Sequence, residues 1–296
     1  MNGIIVLDKP AGPTSHDVVD EIRRLVPGSK VGHAGTLDPN ATGVLIVMLG
    51  RATRVSRFLV GLDKEYLFTI QLGLETDTLD RWGRAIREGA AEDVSRADIM
   101  VAASRFRGRY QQIAPSVSAI KHQGVPLYKM ARRGQPTPVK TRLVVIKNFE
   151  VLDIRLPFVT IRTKCSSGTY VRSLARDMGS YLGCGASVFG LRRLAVGSFS
   201  IKHATPLADL SEGRTVLEEV LLTIEEGLRH LPRVYMTRSG ARKVRHGAQP
   251  EVADLVEGVP DFKGDYVTLV DEDGVAVGIA RRSEHSKHSL MTERLF

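Results

Sequence analysis

Asp38 is the acidic residue best placed to do chemistry. It lies in Val31-Gly32-His33-Ala34-Gly35-Thr36-Leu37-Asp38-Pro39-Asn40-Ala41-Thr42-Gly43-Val44, where glycine permits tight backbone paths or the close approach of a ligand. Pro39 biases Asp38 toward an extended or turn conformation. The apolar run Val44–Leu49 that follows reads as a buried strand. A carboxylate on a glycine-rich loop against a core strand suits nucleophilic work; an Asp-Pro turn that only reverses the chain fits the same residues. Other chemistries lack their residue sets. His285 and His288 form the only close histidine pair and have no Cys or acidic ligands at useful spacing, so no metal is expected. Gly183-Cys184-Gly185 is not followed by the Gly-Lys-Ser/Thr of a phosphate loop, and Ser166-Ser167-Gly168 is not a nucleophile elbow. A carboxylate nucleophile without cofactor is what remains.

The elements that would hold this loop read as an α+β chain. Ile4–Leu7 is a short buried strand that ends at Asp8-Lys9-Pro10-Ala11-Gly12-Pro13. Thr14 and Asp17 form a capping box ahead of a helix carrying Val18, Val19, Ile22 and Leu25. Between Glu65 and Gly73 strict alternation puts Tyr66, Phe68, Ile70 and Leu72 on one face of a strand. Ser95 and Asp98 cap a second helix, and Leu143–Leu152 pairs with Phe158–Thr163. Beyond Gly168-Thr169, Val171, Leu174, Ala175, Met178 and Leu182 form a helical stripe, and Val216, Val220, Leu221, Ile224, Leu228 and Leu231 form another that Pro232 ends. A domain boundary is expected there. Past it come a basic helix and the strands Tyr266–Val270 and Val275–Ala280, joined by Asp271-Glu272-Asp273-Gly274.

The charge has a place as well as a sign. The 296 residues hold 42 Lys and Arg against 33 Asp and Glu, a net charge of +9. From Ile99 to Phe149 there is no acid, and Arg105, Arg107, Arg109, Lys121, Lys129, Arg132, Arg133, Lys140, Arg142 and Lys147 fall within this stretch. A solvated face mixes signs; this one points to a polyanion. Tyr110, His122 and Tyr128 add flat groups able to stack on unpaired bases. Arg238, Arg242 and Arg245 would share one helical face, with Lys243 and His246 beside them. A hydrophobic fraction of 43% excludes wholesale disorder. No apolar run reaches the roughly 20 residues of a membrane helix. The start has no basic n-region or cleavage site, so no secretory signal is expected, and Cys165 and Cys184 make no disulfide framework, so a cytoplasmic location is expected.

The ordered motifs resemble the TruB-type pseudouridine synthases. Gly32-His33-Ala34-Gly35-Thr36-Leu37-Asp38-Pro39 and Ala41-Thr42-Gly43-Val44-Leu45 look like that family's catalytic motif. Leu7-Asp8-Lys9-Pro10, Asp63-Lys64-Glu65-Tyr66 and Thr76-Asp77-Thr78-Leu79-Asp80 fit in order with it. So do Ser118-Ala119-Ile120-Lys121, Gly124-Val125-Pro126-Leu127-Tyr128, Cys165 to Leu174 and Leu191-Arg192-Arg193-Leu194. Val117 departs from the pattern, standing where a Tyr is expected before Ser-Ala, which puts any contact by that side chain in doubt.

The resemblance implies a pseudouridine-synthase catalytic domain over 1–231, on a mixed, largely antiparallel sheet, with a basic insertion over about 105–147 that clamps the tRNA T-arm. A small β-rich PUA-like module over 232–296 would touch the acceptor end. Asp38 would be the nucleophile that isomerises the T-loop uridine at position 55, acting at base or sugar. Arg172 would orient it, Tyr66 would stack on the flipped-out base, His33 would help open the T-loop, and Tyr170 and Leu191 would line the uridine pocket. RNA contacts are expected at Lys9, Lys121, Lys129, Arg132, Arg133, Arg238, Arg242, Lys243 and Arg245. No metal, cofactor, membrane or obligate protein partner is implied, and a monomer is expected. The compact tail, without a long Lys-rich extension, favours direct tRNA recognition over guide-RNA-dependent relatives. Tyr66 and Leu191 also fit plain core packing, Arg172 a solvated helix start, and His33 a loop brace. An RNA-binding or RNA-folding protein without turnover is the alternative outside enzymes.

Overall fold

The most deeply buried strand of the main sheet is Thr42–Leu49, whose residues from Gly43 onward are all buried, as a continuous apolar run requires when both faces of a strand are covered. In this computed structural model the backbone is described for residues 1–118, 121–258, 261, 264–283 and 290–296, and the side chains for these except 121, 122, 126, 128, 131 and 132. The main path of a ten-stranded sheet runs Thr205–Pro206, Gly3–Lys9, Thr42–Leu49, Ala186–Val196, Lys64–Leu72, Phe158–Cys165, Thr141–Arg155, Gly108–Ile113. Two neighbouring pairs are parallel: Gly3–Lys9 with Thr205–Pro206, and Thr42–Leu49 with Ala186–Val196. The second of these seams covers only two residue pairs, Arg192 opposite Thr42 and Arg193 opposite Gly43. The sheet is therefore mixed and largely antiparallel.

Local chemistry explains the helices that brace it. Thr14 and Asp17 close a reciprocal capping box on the Ser15–Leu25 helix, and Ser95 and Asp98 do so on Arg96–Ser104. The first helix buries Val18, Val19 and Ile22 against Ile5, Leu7, Leu45 and Leu49. The Val171–Tyr181 helix lays Val171, Leu174, Ala175 and Met178 on a core that holds Phe68, Ile70, Ile146 and Ile161. The alternation at Lys64–Leu72 holds, with Tyr66, Phe68, Ile70 and Leu72 inward.

Several expectations need correction. The stripe from Val216 to Leu231 is not one helix: it divides into a 3-10 turn at Leu217–Val220 and a short helix at Ile224–Gly227. Between them Leu222 exchanges both backbone hydrogen bonds with Ile4, at 2.8 Å each, and Thr223 caps the next turn. Strand-like pairing overrides the helical period. Gly108–Ile113 and Thr141–Arg155, the flanks of the expected insertion, are strands of the main sheet. Tyr110 belongs to this packing rather than to a free stacking surface, donating to Asp177 at 2.5 Å and lying beside Phe106. Between those strands, residues 119 and 120 lie outside the described residues, as do the side chains of Lys121, His122, Tyr128 and Arg132. His285 and His288 lie outside them too.

The C-terminal part is a separate four-stranded sheet, Arg233–Tyr235, Tyr266–Val270, Ala276–Arg282 and Leu290–Leu295. The Arg238–Arg245 helix packs on it through Ala241 and Val244. The sequence pattern marks the inner two; the outer two, Arg233–Tyr235 and Leu290–Leu295, lie at the sheet's edges and have no clear period. It abuts the main sheet through Ile279, Tyr266 and Phe296, which join the cluster of Ile4 and Leu228.

Candidate active site

Asp38 is held from several sides by groups far away in sequence. Ser15 is buried at the start of its helix; its hydroxyl donates to the Leu37 carbonyl at 3.0 Å and accepts from the Leu37 N–H at 2.8 Å. Lys9 is buried and donates to the carbonyls of Pro10 (2.8 Å), Pro39 (2.9 Å) and Ala41 (2.9 Å). Burial pulls its ammonium down to about 8, with Asp38 opposing the shift. Lys9 was expected to touch RNA; in the structure it is buried and its ammonium is spent on these three loop carbonyls. Arg193, also buried, donates to Val44 (2.7 Å), Gly35 (2.9 Å) and Thr36 (3.4 Å). Gly43 has to be glycine here: its φ is +103°, and a Cβ would stand 2.2 Å from the Arg193 carbonyl oxygen.

Arg172 faces this loop from the first turn of the Val171–Tyr181 helix. Its Nε lies 2.9 Å from Asp38 Oδ2 and its Nη2 3.2 Å from Asp38 Oδ1, a two-pronged grip on the carboxylate. The same guanidinium donates to the carbonyls of Thr78 (2.9 Å) and Val117 (3.0 Å). Val117, the departure from the expected pattern, thus takes part through its backbone. The Arg172 side chain is 8% exposed and that of Asp38 41%. The buried cation fixes a carboxylate that remains open to an incoming molecule.

The pair stands at a cavity of about 420 Å³ lined by His33, Asp38, Tyr66, Tyr170, Arg172 and Leu191, with Lys64 and Arg193 among its other walls. All six expected pocket residues therefore converge on one space. Its size is that of a small-ligand site. Burial pushes the Tyr66 phenol up, and Arg193 lies within hydrogen-bond reach of its hydroxyl. The Tyr170 phenol is raised by burial as well. Burial, then the Arg193 charge, lowers His33, whose buried Nδ1 has no hydrogen-bond partner among the described residues. Burial brings the Lys64 ammonium down to about 8, and it donates to the carbonyls of Val60 and Leu62. Among the described residues no group of three or more His, Cys, Asp and Glu side chains is placed to hold a metal ion.

Arg193 and Lys64 are cavity residues that sequence reasoning passed over, and for Arg193 a signal exists: two adjacent arginines sit in a strand that is apolar on either side, and one of them had to point inward.

The surface residues sort differently. Lys129 and Arg133 are exposed, as an RNA contact requires. On the C-terminal helix Lys243 is paired with Asp254 at 2.9 Å and Arg245 with Asp271 at 2.5 Å. Arg238 stands 4.0 Å from Glu272. The expected basic face is thus largely self-neutralised, and Arg242 is its cation without an acidic partner among the described residues. Among the described residues no helix is long and apolar enough to cross a membrane.

Residues 23–171 match the family described as TruB family pseudouridylate synthase (N terminal domain), and residues 172–229 match the tRNA pseudouridylate synthase B C-terminal domain. The chain is 40% identical to a tRNA pseudouridine synthase B of Syntrophotalea carbinolica, over 100% of this chain and 98% of that protein. It is 43% identical to one of Xanthomonas oryzae pv. oryzae, over 93% and 92%. Among solved structures, a Cbf5-Nop10-Gar1 complex matches at a TM-score of 0.78 and 29% identity, covering 99% of this chain and 84% of that one. An H/ACA RNP bound to a substrate RNA containing 2′-deoxyuridine matches at 0.76 and 27%, covering 99% and 84%.

Proposed function

Because the chain belongs to the TruB family of pseudouridylate synthases, we propose that it converts the T-loop uridine at position 55 of tRNA to pseudouridine, with Asp38 as nucleophile. The isomerisation of a tRNA uridine is the activity of relatives that the chain matches over 98% and 92% of their length; the site, the residues and the conformational step are our reading. The carrying observation is the two-pronged Asp38–Arg172 pair at the mouth of the cavity that Tyr66 lines.

The reaction breaks the C1′–N1 bond, forms C1′–C5, removes the C5 proton and leaves a proton on N1. Nothing is oxidised or reduced, so no co-reactant is consumed. The uridine leaves its stack to enter the cavity. There Tyr66 stacks on the base, with Tyr170 and Leu191 at its edges, and His33 helps open the T-loop. Asp38 opens the step by attack at the base or at C1′, and Arg172 supplies its aim. The segment carrying Lys121, Lys129, Arg132 and Arg133 clamps the T-arm. The PUA-like C-terminal module meets the acceptor end, chiefly through Arg238 and Arg242. The protein acts as a cytoplasmic monomer.

The test is turnover on an unmodified tRNA transcript with no guide RNA or other protein, read by carbodiimide-dependent primer-extension stops. A single stop in the T-loop is expected. Tight tRNA binding with no stop would replace this reading with a guided synthase or an RNA-folding role.

A further inference from the structure

A second, shallow groove adjoins the uridine cavity at Asp38. The two spaces share Asp38, Arg172 and Leu191, and the groove continues to Trp82 and Phe189. Trp82 is 61% exposed, unusual for a residue type that is mostly buried. The Arg81 guanidinium lies between two rings, 4.6 Å from the centroid of Trp82 and 4.6 Å from that of Phe189. Phe158 backs Phe189 at 4.7 Å.

The mount is stiff. Trp82 N–H donates to Asp80 Oδ1 at 3.0 Å, Gly83 N–H to the Asp80 carbonyl at 3.1 Å, and Arg81 N–H to Val188 at 2.9 Å. Gly83 cannot take a side chain, since its Cβ would fall 2.3 Å from Thr78 Oγ1. A turn bonded to the active-site strand thus presents an aromatic ring to solvent beside the nucleophile.

We propose that Trp82, with Arg81 and Phe189, is a stacking platform for a base of the RNA directly adjoining the target uridine. The proposal rests on the function proposed above, because an RNA whose uridine reaches Asp38 must carry its neighbouring nucleotide along the continuous groove. An aromatic face takes a base of any sequence, and the arginine beside it strengthens the stack and faces the phosphates. The platform thus grips the strand next to the flipped nucleotide without reading its identity.

Trp82 is the only tryptophan in the chain, so intrinsic fluorescence reports this place alone. A T-arm hairpin titrated into Asp38→Asn protein should quench it. An abasic nucleotide on one side of the target should abolish the quench, and one elsewhere in the stem should not. In the conversion assay, Trp82→Ala should raise KM about tenfold with kcat within about twofold, and Trp82→Phe should restore most of the loss. Conversion of the hairpin by wild type with no quench, or a Trp82→Ala protein with wild-type KM, overturns the proposal and leaves the parent function standing. Failure of the wild type to convert any tRNA overturns both.

Discussion

Replacing Arg172 by lysine tests how the site aims its carboxylate. The arginine donates one hydrogen bond to Asp38 Oδ1 at 3.2 Å, holds Oδ2 at 2.9 Å as an ion pair, and donates one bond each to the carbonyls of Thr78 and Val117. A lysine keeps the charge but cannot span both carboxylate oxygens and both carbonyls from a single nitrogen. Hydrogen bonds to charged groups contribute about 1.5–3 kcal/mol. Because Asp38 is 41% exposed, the lower end applies. Losing one prong then costs about 1.5 kcal/mol of aim, roughly tenfold in kcat. Folding stability should drop by a further 1 kcal/mol or so, as one part-buried carbonyl loses its donor. Single-turnover conversion of a T-arm transcript gives the first quantity, and urea unfolding the second. Arg172→Lys with wild-type kcat, or with a loss confined to KM, would refute the claim that the guanidinium acts by holding Asp38.

Three further outcomes follow from the same geometry. His33 is lowered below its usual value by burial and by Arg193; below about pH 6.5 the unfolded chain takes a proton that the folded chain refuses, so stability falls as the pH drops through that window. His33→Gln should flatten the fall in urea titrations between pH 7 and 5, though His230, lowered in the same direction, leaves part of it. Lys9→Met should cut kcat at least tenfold by releasing three carbonyls around Asp38, yet leave the salt dependence of tRNA binding unchanged; a reduced salt slope would restore Lys9 as a phosphate contact. Arg242→Ala should lower that slope by about one, whereas Lys243→Ala, which removes a cation already paired with Asp254, should lower it by much less, as read by filter binding at several salt concentrations.

The fold was legible where local chemistry and tertiary demand agree. The capping boxes at Thr14 and Ser95 and the alternation from Tyr66 to Leu72 appear as read. Reading failed where distant partners decide. The 216–231 stripe has a helical period, but Leu222 pairs with Ile4 and breaks it. Lys9 lies at the end of a strand and looks like an ordinary surface lysine; only the folded loop shows three carbonyls converging on it. The Asp38–Arg172 pair spans 134 residues, so no spacing rule reaches it, and it came to notice through family resemblance alone. Tyr66 satisfies both readings at once, being an inward core residue and a wall of the cavity. Arg193 and Trp82 were missed for opposite reasons: a buried arginine and an exposed tryptophan each run against the usual burial of their type.

The central claim is that the Asp38 carboxylate opens the isomerisation, and the isosteric change Asp38→Asn tests it most directly. The measurement is single-turnover pseudouridine formation in saturating protein, with tRNA affinity determined in parallel. Formation lost by at least about a thousandfold, with affinity within about threefold of wild type, is the predicted result, since the substitution removes the nucleophile and keeps its shape. An Asp38→Asn protein that still makes pseudouridine at a comparable rate would contradict the account.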